Sequence, residues 1–97
     1  MDDFCGKFAL MNLIWDRINL RKILAHRVEP EEVEEAFSDP RRYSRRSGGT
    51  KEQRRYLVIG RTESGRYLRV VFEPLPEGNR VVTAFDASES DQRLYWN

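Results

Sequence analysis

Apolar residues in the first third of the chain recur at the spacing of an α-helix. Between Asp16 and His26, the residues that follow this spacing are Ile18, Leu20, Ile23 and Leu24. Such a stripe predicts a helix with one face in the core. Asn12 or Asp16 is suited to cap its start, because their side chains accept hydrogen bonds from free backbone N–H groups.

A second helix is predicted to begin at Glu29 and to end before Pro40. Pro30 suits the first helical turn, where the missing N–H costs nothing. Its apolar stripe, at positions i, i+3 and i+4, consists of Val33, Ala36 and Phe37. Pro40 ends the helix because a proline disfavours helical backbone in the residue before it.

The second half of the chain alternates between apolar and polar residues, which predicts β-strands. The three runs are Arg55–Thr62, Tyr67–Glu73 and Arg80–Asp86. Glu63–Arg66 predicts a tight hairpin between the first two runs, and Pro74–Asn79 predicts a looser connection before the third.

Alternation also assigns the strand residues to two faces of a sheet. One face carries arginine and tyrosine among smaller apolar groups, and its large polar members are Tyr56, Tyr67, Arg69 and Arg80. The other face is expected to be the core, covered by the two helices. By simple alternation, Arg61 faces away from Arg69.

The two ends of the chain complete the expected fold. Residues 1–7 look like a loose polar end, and residues 8–15 fit a short strand or a first helical turn. Ser88 and Asp91 fit a capping box that opens a helix ending near Tyr95. We therefore expect one α+β domain over residues 1–97: two N-terminal helices on an antiparallel sheet of three to four strands, and a short C-terminal helix.

Residues 41–54 carry almost no core-forming side chain except Tyr43, which predicts a long mobile loop with room for a short strand near Tyr43. Arginine suits phosphate recognition because its guanidinium is planar and forked. The candidate RNA-binding residues here are Arg41, Arg42, Arg45, Arg46, Arg54 and Arg55. The alternatives are a solvated charge run and an arm that docks on an acidic partner.

Composition narrows the class of protein. The 97 residues have a net charge of +1, but residues 29–39 hold six acids and no base, whereas residues 41–55 hold seven bases and one acid. A mean hydropathy of −0.73 argues against a membrane-spanning helix. Asp2 and Asp3 replace the basic start of a secretory signal, which favours a cytoplasmic protein. One cysteine and one histidine argue against a structural zinc site, and we expect no metal and no cofactor.

The order of several short motifs is informative. The motifs are Leu13-Ile14-Trp15-Asp16, then Asn19, Lys22, His26 and Val28, then Pro30-Glu31-Glu32-Val33 with Phe37-Ser38-Asp39-Pro40, then Arg55–Gly60 with Gly65–Leu68, then Arg80–Ala84, and finally Tyr95. In this order, over residues 13–95, they resemble the BrnT family of bacterial type II toxins.

This resemblance implies a RelE-like fold and a ribonuclease that cleaves RNA without metal and arrests translation. It also implies RNA and a small cognate antitoxin as partners, and a hetero-oligomer with that antitoxin is one assembly it suggests. The chain departs from the family at three positions: Arg27 replaces a glycine, Phe85 replaces an arginine, and Asp91 replaces a glutamate. The alternative is therefore a degenerate toxin, a non-catalytic RNA- or protein-binding module with the same fold.

Metal-free RNA cleavage needs proton transfer and cations that stabilise the phosphorane. The catalytic candidates are His26, Lys22, Arg61, Arg69, Arg80, Tyr67 and Tyr95. His26 is the candidate acid or base, because histidine exchanges protons near neutral pH, and Lys22 is expected to tune it. The three arginines would bind phosphate, and a tyrosine would lie near the reacting base. A helix-end histidine and ordinary exposed strand residues are the alternative interpretations.

Overall fold

A computed structural model describes residues 13–97 and confirms the α+β class. Its elements, in chain order, are β1 (Leu13–Ile14), α1 (Arg17–Ala25), α2 (Pro30–Phe37), β2 (Tyr43–Gly49), β3 (Arg54–Arg61), β4 (Tyr67–Leu75), β5 (Gly78–Asp86) and α3 (Glu89–Trp96). The expectations for residues 1–7, for the cap at Asn12 and for the first part of 8–15 lie outside the described residues. No helix in the described part is long and apolar enough to cross a membrane.

The sheet differs from the prediction in size and in direction. Within residues 13–97 it has five strands in the order β1-β5-β4-β3-β2, not three to four. All neighbours are antiparallel except β1 and β5, which are parallel. The turn between β4 and β5 is also tighter than predicted, because Leu75 lies directly opposite Gly78.

The loop predicted for residues 41–54 is wrong in extent: the short strand expected near Tyr43 is present but spans Tyr43–Gly49 as β2. This strand pairs antiparallel with β3, so that Tyr43 lies opposite Ile59 and Arg45 opposite Leu57. None of its residues is fully buried. An exposed edge strand is stabilised by backbone hydrogen bonds rather than by burial, so its side chains show no apolar alternation.

Helices α1 and α2 cover one face of the sheet. The fully or largely buried residues of this core are Ile23, Val28, Val33, Ala36, Phe37, Val58, Leu68, Val70, Val81 and Ala84. The predicted stripe of α1 is partly wrong, since Ile18 is 61% exposed and Leu24 is 50% exposed. Asn19 is buried instead.

The start of α1 explains why a polar residue occupies that core position. The side chain of Asp16 accepts hydrogen bonds from the backbone N–H groups of Ile18 and Asn19, which confirms Asp16 as the cap. In return, Asn19 accepts from the Asp16 N–H at 2.7 Å and donates to the carbonyl of Ile14 at 2.8 Å. Asn19 therefore joins α1 to β1 with its polar atoms satisfied.

Helix α3 covers part of the other face of the sheet, which we call the α3-side face. A second cluster of Leu57, Ile59, Ala87 and Tyr95 is buried there. The predicted capping box is confirmed, since the Asp91 N–H donates to Ser88 Oγ at 3.1 Å and Asp91 Oδ2 accepts from the Ser88 N–H. Both faces of the sheet are thus covered in part, rather than one alone.

Two face assignments made from alternation are wrong. Tyr56 belongs to the face covered by α1 and α2, where its ring stacks on Phe72 with centroids 5.9 Å apart. Arg61 lies directly opposite Tyr67, and Ile59 opposite Arg69, so that Arg61, Tyr67 and Arg69 share the α3-side face. The register between strands decides these groupings, and alternation within one strand does not fix it.

Candidate active site

The predicted catalytic residues gather mainly at one end of the sheet, where β3 ends, β4 begins and β5 ends. Arg61 and Tyr67 face each other across β3 and β4, and Arg69 lies opposite Phe85 across β4 and β5. The Arg61 guanidinium carbon is 5.6 Å from the centre of the Tyr67 ring, which is a cation–π contact. The arginine itself is exposed to solvent.

Contacts among the rings of Tyr67, Tyr95 and Trp96 connect the Arg61–Tyr67 pair to α3. Tyr67 meets Tyr95 edge to face, with ring centroids 5.3 Å apart, and Tyr95 meets Trp96 in the same way at 5.1 Å. Tyr95 is buried, whereas half of Trp96 is exposed. Helix α3 therefore packs against the Tyr67 ring through Tyr95 and places the indole ring of Trp96 at the surface.

The hydroxyl of Tyr95 is held by Asp39, a residue that sequence reasoning missed. The phenol donates to Asp39 Oδ2 at 2.6 Å. Asp39 also accepts from the backbone N–H groups of Arg61 at 2.8 Å and Arg41 at 2.9 Å. One carboxylate thus joins the end of α2, the end of β3 and α3. Its sequence signal was its place in the Phe37–Pro40 motif, directly before Pro40.

Burial, together with the hydrogen bond to Asp39, raises the pKa of Tyr95 from about 10 to about 12. The folded chain therefore holds the phenolic proton more tightly than the unfolded chain. The stability that this contributes is complete below pH 10 and is lost between pH 10 and 12. We expect wild-type protein to lose about 2 kcal/mol more than Tyr95→Phe over this range, measured by urea unfolding. Parallel losses in the two proteins would contradict the assignment.

His26 lies at the same end of the sheet, at the C-cap of α1. Its exposed ring is 5.5 Å from the ring of Phe85, measured between centroids. Since Phe85 lies opposite Arg69, one aromatic side chain separates the histidine from a sheet arginine. Lys22 is exposed one helical turn before His26 and so belongs to the same helix face.

The backbone around His26 is held by Arg66, a second residue that sequence reasoning missed. Arg66 donates to the carbonyls of His26 at 3.4 Å and Arg27 at 2.8 Å, and to Glu32 Oε1 at 3.0 Å. It also donates to Asp86 Oδ1 at 2.7 Å. This hydrogen bond lowers the pKa of Asp86 and raises that of Arg66, so both groups keep their charge.

Arg27 stands where the family resemblance places a glycine, and its backbone has the left-handed φ of 59°. This conformation strains a residue with a side chain but not glycine. We expect Arg27→Gly to raise the free energy of unfolding by about 1 kcal/mol. As a control, Arg21→Gly within α1 should lower it by about 1 kcal/mol. Urea unfolding of both variants would measure this, and destabilisation by both would contradict it.

Arg69 makes an ion pair with Asp91, whose carboxylate Oδ1 lies 3.0 Å from Nη1 of the arginine. Asp91 is buried and also belongs to the cap of α3. The arginine is half-buried, so part of its guanidinium remains open to solvent. The pair aligns the start of α3 with the middle strands of the sheet.

Arg80 lies apart from the other candidates. It pairs with Asp16 at 3.5 Å and with Glu73 at 3.6 Å. Glu73 is six residues along β4 from Tyr67, which corresponds to about 20 Å of strand. The structure therefore brings six of the seven catalytic candidates to one end of the sheet, on two sides of it, and leaves Arg80 at the other end.

The candidate RNA-binding arginines are spread over the segment before β2, over β2 itself and over the start of β3, rather than held in one loop. Arg41 lies over the Trp96 ring at 4.7 Å, and Arg42 donates to the carbonyl of Asp39 at 3.1 Å. Arg46 donates to the carbonyl of Thr50 at 3.2 Å. The other three are Arg45 and Arg54, both exposed, and Arg55, which pairs with Glu73 at 3.7 Å. Among residues 13–97, no group of three His, Cys, Asp or Glu side chains is placed to hold a metal ion.

Comparison with known proteins gives one assignment. No curated protein matches the chain. Residues 15–91 match the family model described as the ribonuclease toxin BrnT of type II toxin–antitoxin systems. The match covers α1 and α2, strands β2 to β5 and the start of α3. The chain therefore belongs to the BrnT family of ribonuclease toxins.

Proposed function

We propose that this protein is a metal-independent endoribonuclease that cleaves RNA at the end of the sheet where His26, Phe85 and Arg69 meet. The observation that carries the proposal is the position of Phe85. Its ring contacts His26, and its strand partner is Arg69. A group that can transfer a proton and a cation that can bind phosphate therefore flank one surface residue.

The chemistry requires only the residues of this surface and the RNA. His26 takes the proton of a ribose 2′-hydroxyl, whose oxygen then attacks the adjacent phosphorus. The bond from phosphorus to the 5′-oxygen breaks as that oxygen receives a proton, which the protonated His26 releases through water, leaving a 2′,3′-cyclic phosphate and a 5′-hydroxyl end. Arg69 and Arg61 stabilise the negative charge that develops on the phosphorane.

Phe85 occupies the position of a family arginine, so the chain needs another source of positive charge there. Arg69 supplies it in this proposal, because it projects from the neighbouring strand at the same level. Tyr67 and Trp96 offer rings on which bases stack. Tyr95 acts as a positioning residue, since its proton is committed to Asp39. Arg80 binds no reacting group, because it lies at the far end of the sheet, where it pairs with Asp16 and Glu73.

The proposal includes the cellular role that the family suggests. Cleavage of RNA would arrest translation in the bacterial cytoplasm, and the cognate antitoxin would neutralise the enzyme as a complex. A RelE-like arrangement is supported by α1 and α2 on one face of the sheet and α3 on the other. The basic residues of β2 and β3 would bind RNA beyond the reaction site.

The direct test is incubation of the purified protein with end-labelled RNA in EDTA, followed by analysis of the product ends. We expect cleavage that leaves 2′,3′-cyclic phosphates, and a loss of at least about tenfold in Arg69→Gln. Arg21→Gln, an exposed arginine on α1, removes the same charge and should cleave normally. Cleavage abolished by EDTA would contradict metal independence. Intact RNA that binds the protein in a salt-dependent way would instead favour the non-catalytic binding module.

A further inference from the structure

A groove opens between the end of α2, the end of β3 and α3, beside the proposed reaction site. Its volume is about 550 Å³, within the range of pockets that bind small ligands. The residues that define it here are Glu35, Asp39, Arg41, Arg61, Glu63 and Tyr95. We call it the α2–α3 groove. Arg61 lines this groove and also lies opposite Tyr67 on the α3-side face, so the groove is continuous with that face.

Two of its arginines are held by aromatic rings and not by carboxylates. Arg41 lies over Trp96 at 4.7 Å, and Arg61 lies over Tyr67 at 5.6 Å. Within residues 13–97, neither makes an ion pair, whereas carboxylates pair with Arg55, Arg66, Arg69, Arg80 and Arg93. A guanidinium has five N–H donors and a cation–π contact does not use them all, so donors remain to bind an anion.

The acidic side chains of the groove differ in how many further hydrogen bonds their oxygens can accept. Asp39 already accepts from two backbone N–H groups and the Tyr95 hydroxyl. Glu35 accepts from the backbone N–H of Glu63 at 3.1 Å. The Glu63 side chain is exposed and makes no hydrogen bond or ion pair with the part of the chain that the structure describes. Among these carboxylates, Glu63 is thus the one with both oxygens available to a ligand.

We propose that the α2–α3 groove binds one nucleotide of the RNA substrate, with its phosphate on Arg41 and Arg61 and its base on Glu63. The ligand must combine a negative group with adjacent N–H donors. Guanine fits best, because its N1–H and N2–H₂ groups are adjacent donors that a carboxylate accepts as a pair. The groove is therefore a guanine-selective subsite. This inference rests on the proposed ribonuclease function in one respect, which is that the ligand is RNA.

Binding can be tested without cleavage. The probe is a fluorescently labelled oligonucleotide with 2′-O-methyl riboses, which carry no free hydroxyl for attack, and with one guanine in a uridine background. Anisotropy should show binding to the wild-type protein that weakens about tenfold in Arg41→Gln and in Arg61→Gln. Arg21→Gln is the control with the same charge change and should bind like wild type.

Replacing the guanine with inosine, which lacks the N2 amino group, tests the role of Glu63. Wild-type protein should prefer guanine by about tenfold, and Glu63→Gln should lose most of this preference. Arg61→Lys keeps the charge but not the fork, and we expect its affinity to lie between those of wild type and Arg61→Gln. Equal melting temperatures would show that each variant is folded.

The outcomes separate the two proposals. Unchanged binding in Arg41→Gln and Arg61→Gln, or a guanine preference that survives in Glu63→Gln, would overturn the subsite. Absence of any binding by wild-type protein at low salt would overturn it as well. Intact binding of the probe together with no cleavage of ordinary RNA would support the subsite and contradict the proposed reaction.

Discussion

Replacing His26 with glutamine is expected to slow RNA cleavage by at least a factor of about 100 without unfolding the protein. General acid–base groups contribute about 10²- to 10⁴-fold to enzymatic rates. Glutamine keeps hydrogen-bonding capacity but cannot exchange a proton near neutral pH. The backbone of His26, not its ring, makes the bonds that close α1, so the helix end should persist.

The measurement is a single-turnover cleavage rate with end-labelled RNA, compared with urea unfolding of the same preparation. Arg21→Gln serves as the control for replacing an exposed polar side chain on α1 with glutamine. A His26→Gln variant that cleaves within about twofold of the wild-type rate would remove His26 from the mechanism. A variant that loses cleavage and stability together would show a role in folding instead.

The largest effect on stability is expected for Gly60→Ala, with a loss of about 3 kcal/mol or more. Gly60 lies in β3, directly under α2. A β-carbon there would lie 2.1 Å from the carbonyl oxygen of Ala36 and 2.7 Å from its carbonyl carbon. These are backbone atoms, so the helix itself must move, and overpacking of a core costs about 1–3 kcal/mol even where side chains can adjust. Small domains have about 5–15 kcal/mol of stability in total.

A matched control is Gly48→Ala in β2. A β-carbon at Gly48 meets no atom within 4 Å, but its φ of +102° strains any residue other than glycine. We expect a loss of about 1 kcal/mol there. Urea unfolding of both variants would compare the two costs, and equal losses would show that the approach of α2 is not what restricts Gly60. Because α2 leads into Asp39, a displaced helix should also weaken nucleotide binding in the α2–α3 groove.

The two residues that sequence reasoning missed have the same role at different places. Arg66 joins the α1–α2 junction to Asp86 at the end of β5, and Asp39 joins the end of α2 to β3 and α3. Arg66 holds the backbone of His26, and Asp39 holds the hydroxyl group of Tyr95. In both cases the two residues are distant in sequence. Positioning of this kind has no local pattern, because its partners are brought together only by the fold.

Where the physics is local, the sequence predicted the structure. The caps at Asp16 and Ser88, the start of α2 at Pro30 and the three long strands depend on residues within a few positions of one another. The order of short motifs was also sufficient to indicate the family. The caps and strands were predicted correctly because capping and alternation depend on neighbouring residues along the chain.

Only the tertiary structure decided which candidates meet. Strand register placed Arg61 on the face of Arg69 and moved Tyr56 to the opposite one. The full length of edge strand β2 had no sequence signal, because none of its side chains is fully buried. The α2–α3 groove likewise has no sequence signature, since its walls come from three separate elements. Register, edge pairing and grooves depend on contacts between distant segments, and no pattern within a single segment encodes them.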